Sequence, residues 1–315
     1  MSEQAAETVE RVLRDELVEG DAMIAAARPI LRHLLANDDN GLFSDETIAR
    51  VRGLLLNVAE QLLFAQAQAA EVRDRPAYVV VRQDALAQAL FGDTAFLAHA
   101  HALTVEAQLI ERLQSRSGID PVLTPLVQEL VAAKDGTAAG LAMSVLAAQA
   151  RFQQHWRRME LPLAELPGDL FHRALLMLRE HAHDDDAPAA EAAERQLREG
   201  YQEGVGRLGL IARLVMAMGQ KAPRALSIDH AGLAVFATAL AMASGQERDL
   251  AVLSFSERQY ARLALSLCAA GLGQQAVLEQ FLYLHPDVSL PEGFDMLRAD
   301  RAGALLAASH PEAAN

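Results

Sequence analysis

Apolar residues recur at helical spacing almost from end to end of this 315-residue chain, and this pattern most constrains the fold. Ala and Leu, two strong helix formers, are its most frequent residues. Only Tyr78–Val81 is rich enough in β-branched residues to resemble a strand. With no second run to pair with, it is interpreted as an extended connector or an edge pairing across a dimer. The pattern predicts an all-α protein, a multi-helix bundle or irregular helical superhelix of about a dozen helices.

The clearest predicted helix runs from Asp45 to Val72, and its apolar residues between Ile48 and Ala69 follow a three-four alternation. Leu54 and Leu63 lie to one side of this seam and widen it. A helix with so wide an apolar face needs more than one neighbour. The partner helix belongs either to the same chain or to a second subunit, and we expect a homodimer.

Caps, glycine stops and apolar stripes predict the remaining helices. Ser44, Asp120 before Pro121, and Ser256 in a capping box are the expected N-terminal caps. The segment after Pro188 contains three glycines and is expected to break near Val205. The predicted helices are Thr94–Gln114, Thr137–Trp156, Leu170–His181, Pro188–Met218, Asp229–Ser244, Ala261–Ala270, Gln274–Leu284 and Pro291–Ala308.

A charge run followed by a proline, His183–Pro188, is the best candidate for a domain boundary. It predicts an N-terminal helical subdomain of residues 1–183 and a C-terminal helical subdomain of residues 184–315. The alternative is one continuous helical domain.

Charge and cysteine content favour some partners over others. The formal net charge is -14, whereas a nucleic-acid-binding protein or a protein of anionic membranes usually shows a basic surface. No uncharged apolar stretch reaches the ~18–20 residues of a membrane span, and Met1–Glu10 does not resemble a signal peptide. The single cysteine, Cys268, fits a reducing compartment and a buried position. We therefore expect a cytoplasmic protein whose partner is another protein or itself, and neither nucleic acid nor a membrane.

The densest polar cluster contains the only candidates for metal ligands: His181, His183, Asp184, Asp185 and Asp186. The aspartates invite comparison with the Asp-Asp-x-x-Asp helix of prenyl-diphosphate enzymes, but the fourth positions hold Pro188, Ala189 and Ala190. The loop with Asp38 and Asp39 does not supply the second motif of those enzymes. Cations at the end of one helix and acids before the next explain the cluster structurally. The sequence therefore assigns no catalytic residue, cofactor or metal, and these five residues are weak candidates.

Two further features are interpreted structurally. Helical projection places His99 on an apolar face and His101 on a solvated one. The pair Leu263–Ala270 and Gln274–Leu284 is expected to form a helical hairpin, because its second helix lacks the basic groups of a DNA-recognition helix. The leading hypothesis is a soluble helical protein-interaction or regulatory protein without catalytic activity. The alternative is a magnesium-dependent all-α enzyme with an acidic metal cluster.

Overall fold

The computed structural model describes residues 2–36 and 45–309, which form fourteen α-helices and no strand. This confirms the all-α prediction. Ser44, Asp38 and Asp39 lie outside the described residues. Short 3₁₀ helices occur in several of the connections. The helices are α1 Ser2–Ala36, α2 Asp45–Ala69, α3 Arg75–Gly92, α4 Thr94–Ser117, α5 Pro125–Val131, α6 Gly136–Arg157, α7 Gly168–Glu180, α8 Ala187–Gly200, α9 Arg207–Ala217, α10 Ile228–Ser244, α11 Arg248–Leu253, α12 Tyr260–Ala269, α13 Gln274–Leu284 and α14 Ala299–Ala308.

The strand-like run Tyr78–Val81 lies inside α3, so its interpretation as an extended connector or edge strand is wrong. The Asp74 side chain accepts a hydrogen bond from the Ala77 backbone N–H at 3.1 Å, and a proline occupies the first turn. Tyr78 and Val79 are buried, and α3 packs against α2. An N-terminal cap and tertiary packing thus outweigh the β propensity of three consecutive valines.

Two predicted helix starts are also corrected. Asp120 accepts hydrogen bonds from the backbone N–H groups of Val122 and Leu123, at 2.8 and 2.7 Å, and so forms a turn. The helix begins later, at Pro125, with Thr124 as its cap. Ser256 does not complete a capping box, because its hydroxyl donates back to the carbonyl of Leu253 at 3.1 Å.

The contacts of the chain divide it into two compact units. Unit 1 comprises Met1–Ala27, Val105–Leu146 and Ile211–Asn315, and unit 2 comprises Arg28–Thr104 and Ala147–Leu210. The segment His183–Pro188 lies within unit 2. A subdomain boundary at residues 183 and 184 stays a prediction.

Within unit 2, α2 is the central helix and packs against α3, α7 and α8. The seam residues Val51, Leu55, Val58 and Leu62 are buried, as are Leu54 and Leu63 beside them. Neighbours in the same chain therefore cover the wide apolar face that had suggested a second subunit. The homodimer itself stays a prediction, now without this argument.

Within unit 1, α10 is buried from Ile228 to Ala241, apart from a partly exposed first turn, and it packs against α5, α11 and α12. It ends at Gly245 in a left-handed conformation, as the sequence predicts. The hairpin of α12 and α13 and the burial of Cys268 are confirmed. In the part of the chain that is described, no single helix is long and apolar enough to cross a membrane, although the bent pair Gly219–Leu226 and Ile228–Ser244 passes that test together.

Two ion pairs connect distant segments of unit 1. Arg248 Nη2 lies 2.9 Å from Glu106 Oε1, and its Nε donates to Thr238 at 2.9 Å. Glu106 is 0% exposed. Arg262 pairs with Asp21 across a much longer sequence separation. These buried charges are compensated by partners, as burial of an ionised group requires.

Candidate functional site

The five weak metal candidates are not gathered around a common point. His181 follows the end of α7, where its Nδ1 lies 2.9 Å from the Met177 carbonyl oxygen. Asp186 accepts from Arg82 Nη2 at 2.9 Å, and the Arg82 guanidinium lies 3.8 Å from the Tyr78 ring centroid. Across residues 2–36 and 45–309, no three His, Cys, Asp or Glu side chains are grouped so that they could hold a metal ion. Asp186 instead ties the segment before α8 to α3.

The remaining histidines of interest are buried to different degrees. His99 is buried on the apolar side of α4, as expected. His101 is only partly exposed rather than solvated, and burial lowers its pKa to about 4. The apolar environment of this part of α4 thus extends beyond the face that projection indicates.

His285 of unit 1 follows α13 and is 2% exposed, with its ring 5.7 Å from that of Phe281. Neither ring nitrogen has a hydrogen-bond partner among the described residues. Burial, assisted by the charge of Arg112, lowers the pKa of His285 to about 4. This histidine is therefore neutral at pH 7.

The candidate functional site is a cleft in unit 2, which encloses about 410 Å³ of space, part of it open to solvent. Its walls come from α2, α4, the end of α6, the connector after α6 and the start of α9. The volume falls in the range of ligand pockets. The lining residues are Leu54, Leu103, Phe152, His155, Trp156, Glu160, Leu161, Pro162, Glu165, Arg207 and Leu208.

Trp156, the single tryptophan of the chain, is 3% exposed and lines the cleft near the end of α6. The Arg50 guanidinium of α2 lies 4.8 Å from its ring centroid, within the range of a cation–π interaction. Arg50 Nη1 also donates to the Trp156 carbonyl oxygen at 3.0 Å. Both contacts fix the indole against α2.

The connector after α6 is held on α2 by side-chain amides. Asn57 Oδ1 accepts from the Leu161 backbone N–H at 2.9 Å. Gln61 Nε2 donates to the Leu161 carbonyl at 2.8 Å, and Gln61 Oε1 accepts from the Leu163 backbone N–H at 3.1 Å. The amides satisfy extended backbone that has no helical partners. The connector therefore forms a fixed wall of the cleft.

Arg207 is 2% exposed, although its side chain carries a charge. Its guanidinium lies 3.8 Å from the Phe152 ring centroid, and Nη1 donates to Gln149 Oε1 at 3.4 Å. Its backbone N–H donates to Glu165 Oε2 at 2.6 Å. The buried guanidinium thus meets both an aromatic face and an amide oxygen inside the protein.

The most reactive pair in the cleft is His155 and Glu160, with Nδ1 and Oε2 2.6 Å apart. A carboxylate that orients an imidazole is also the arrangement of general-base sites. Here the Glu160 backbone N–H also donates to the His155 carbonyl at 2.9 Å, so the pair closes the end of α6. No Ser, Thr, Cys, Tyr or Lys occurs among the cleft-lining residues within the described chain. The site therefore suits binding better than covalent catalysis.

Sequence reasoning missed this cleft because its residues come from separate segments. The local signal was the tryptophan followed by a connector that two prolines, Pro162 and Pro167, bracket. Comparisons with protein-family models, with curated proteins and with solved structures found no match. The function is accordingly argued from the geometry of the cleft.

Proposed function

We propose that the protein is a non-enzymatic helical regulatory protein and that the cleft of unit 2 is its binding site for a small molecule. The observation that carries the proposal is a cleft of suitable volume with apolar walls and a few convergent polar groups. Concave sites of this composition are the usual places for small ligands.

A binding role accounts for the cleft more simply than a catalytic role. The imidazole of His155 is engaged by a carboxylate at a helix end, and the described lining offers no side-chain nucleophile. The pairing of Asp186 with Arg82 favours a structural role for the acidic cluster rather than a magnesium site.

The proposal includes a protein partner, which is another protein or a second copy of the chain. A net charge of -14 favours protein over nucleic acid, and a single buried cysteine favours the cytoplasm. Sedimentation velocity over a wide concentration range tests self-association. A monomer at every concentration would refute the homodimer part of the proposal.

The binding proposal is tested by thermal denaturation against a small-molecule collection. Leu208→Phe fills the cleft, because Leu208 is a partly exposed lining residue. Leu282→Phe is the matched control at an exposed position of α13. A ligand at 100 times its Kd stabilises the folded state by about 2.7 kcal/mol. At roughly 2 °C per kcal/mol for a chain of this size, the melting temperature should rise by about 5 °C.

Compounds that bind in the cleft should stabilise the wild type and Leu282→Phe equally. They should have little effect on Leu208→Phe. Equal stabilisation of all three proteins by every active compound would place binding outside the cleft and reject the proposed function.

A further inference from the structure

We infer that the ligand of the unit 2 cleft is a small, uncharged and mainly apolar molecule about the size of a six-membered ring. This inference rests on the proposed binding function and goes beyond it by naming the class of ligand. It follows from three features of the cleft: engaged polar groups, charge balance and apolar walls.

The charged side chains of the cleft already have partners within the protein. Glu160 contacts His155, and Glu165 accepts from the Arg207 backbone N–H. The Arg207 guanidinium faces Phe152 and Gln149. A charged ligand would have to displace one of these contacts, and breaking a largely buried charged contact is costly. A neutral ligand leaves all of them intact.

The charge balance disfavours an anionic ligand in particular. Glu160 and Glu165 outweigh the single guanidinium of Arg207 unless His155 is protonated. A cationic ligand would meet two carboxylates, but both already accept short hydrogen bonds of 2.6 Å. Neither sign of charge therefore finds an uncommitted counter-ion.

The walls provide the remaining specificity. Seven of the eleven lining residues are apolar: Leu54, Leu103, Phe152, Trp156, Leu161, Pro162 and Leu208. An apolar cavity of about 150 Å³ is enough to bind benzene. A cleft of about 410 Å³ that is partly open to solvent leaves room for one ring, with a hydroxyl group directed to water.

Trp156 makes the inference testable by intrinsic fluorescence, since the chain has no other tryptophan. The probes are cyclohexanol, cyclohexanecarboxylate and cyclohexylammonium, which share one ring and differ in charge. None of the three absorbs where indole is excited. Each is titrated into the full chain at pH 7 up to its solubility limit. We expect a saturable change with cyclohexanol and at least tenfold weaker binding of both ions.

The controls place the signal in the cleft. Leu208→Phe should abolish the cyclohexanol response, whereas Leu282→Phe should preserve it. If Leu208→Phe fails to fold, as judged by circular dichroism, Leu208→Ala replaces it. The enlarged cleft should then bind cyclooctanol better relative to cyclohexanol than the wild type does.

The outcomes separate the inference from the proposed function. Tighter binding of either ion, lost in Leu208→Phe, would overturn the inference but preserve the binding site. No saturable response to any probe would overturn both. A response that Leu208→Phe retains, or a size preference that Leu208→Ala leaves unchanged, would place the bound probe outside the cleft and also overturn both.

Discussion

Gly232 occupies a backbone conformation that other residues rarely adopt, and Gly232→Ala is the most severe small substitution that the structure predicts. Gly232 has φ 73° and ψ 159° near the start of the buried helix α10. This region of φ/ψ space is almost restricted to glycine. A Cβ added there would lie 2.4 Å from Thr124 Cγ2. The substitution therefore combines backbone strain with a steric clash.

The cost can be worked from these two contributions. A residue held in a sparsely populated backbone region costs about 1–3 kcal/mol. Overpacking a well-filled core costs another ~1–3 kcal/mol. Restricting the unfolded chain returns only about 0.4–1 kcal/mol. We expect a net loss of about 2–5 kcal/mol in the free energy of unfolding, a large share of the total stability of about 5–15 kcal/mol.

The assay is urea denaturation followed by circular dichroism, with two companion variants. Gly245→Ala carries backbone strain alone, because Gly245 has φ 69° and no atom lies within 4 Å of the added Cβ. It should cost about 1–2 kcal/mol. Thr124→Ser removes the clashing methyl group and retains the hydroxyl that accepts from the Val127 backbone N–H at 3.4 Å.

The double variant Gly232→Ala/Thr124→Ser should therefore recover the overpacking part, about 1–3 kcal/mol, as a favourable coupling energy. The reasoning would be refuted if Gly232→Ala cost no more than Gly245→Ala. It would also be refuted if Thr124→Ser restored nothing to the double variant.

Three further perturbations probe other buried groups. Glu106→Ala should cost about 3–5 kcal/mol in urea denaturation because it leaves a buried guanidinium unpaired, whereas Asp300→Ala, in an exposed pair, should cost under about 1 kcal/mol. The pKa of His285 falls from 6.5 to about 4 on folding, so its contribution of about 3 kcal/mol is present above pH 6.5 and is lost as the pH falls towards 4. Stability measured against pH should therefore decline less below pH 6.5 in His285→Leu, and an unchanged slope would contradict this assignment. Burial raises the pKa of Cys268 to about 11, so iodoacetamide at pH 8 should label the unfolded chain and leave the native chain unlabelled; rapid native labelling would show that the thiol is accessible.

Much of the fold could be predicted because helix boundaries are written in local chemistry. The acidic first turn of α2 and the left-handed Gly245 after α10 are local signals, and both helices occur where those signals place them. Tyr78–Val81 shows the limit of such reasoning, because residue propensity favoured a strand. A cap at Asp74 and burial of two side chains against α2 decided for helix. Capping can be read from sequence, whereas burial depends on the tertiary neighbours.

The cleft could not be predicted for a related reason. Asn57 and Gln61 are ordinary polar positions on α2 until a connector about 100 residues later lies across them. Arg207, far from α2 in sequence, gives no sign of being buried until Phe152 covers its guanidinium. In a helical protein each helix satisfies its own backbone, so sequence periodicity describes the scaffold well. A connector has to borrow hydrogen bonds from side chains elsewhere, and those borrowed contacts shape this candidate site.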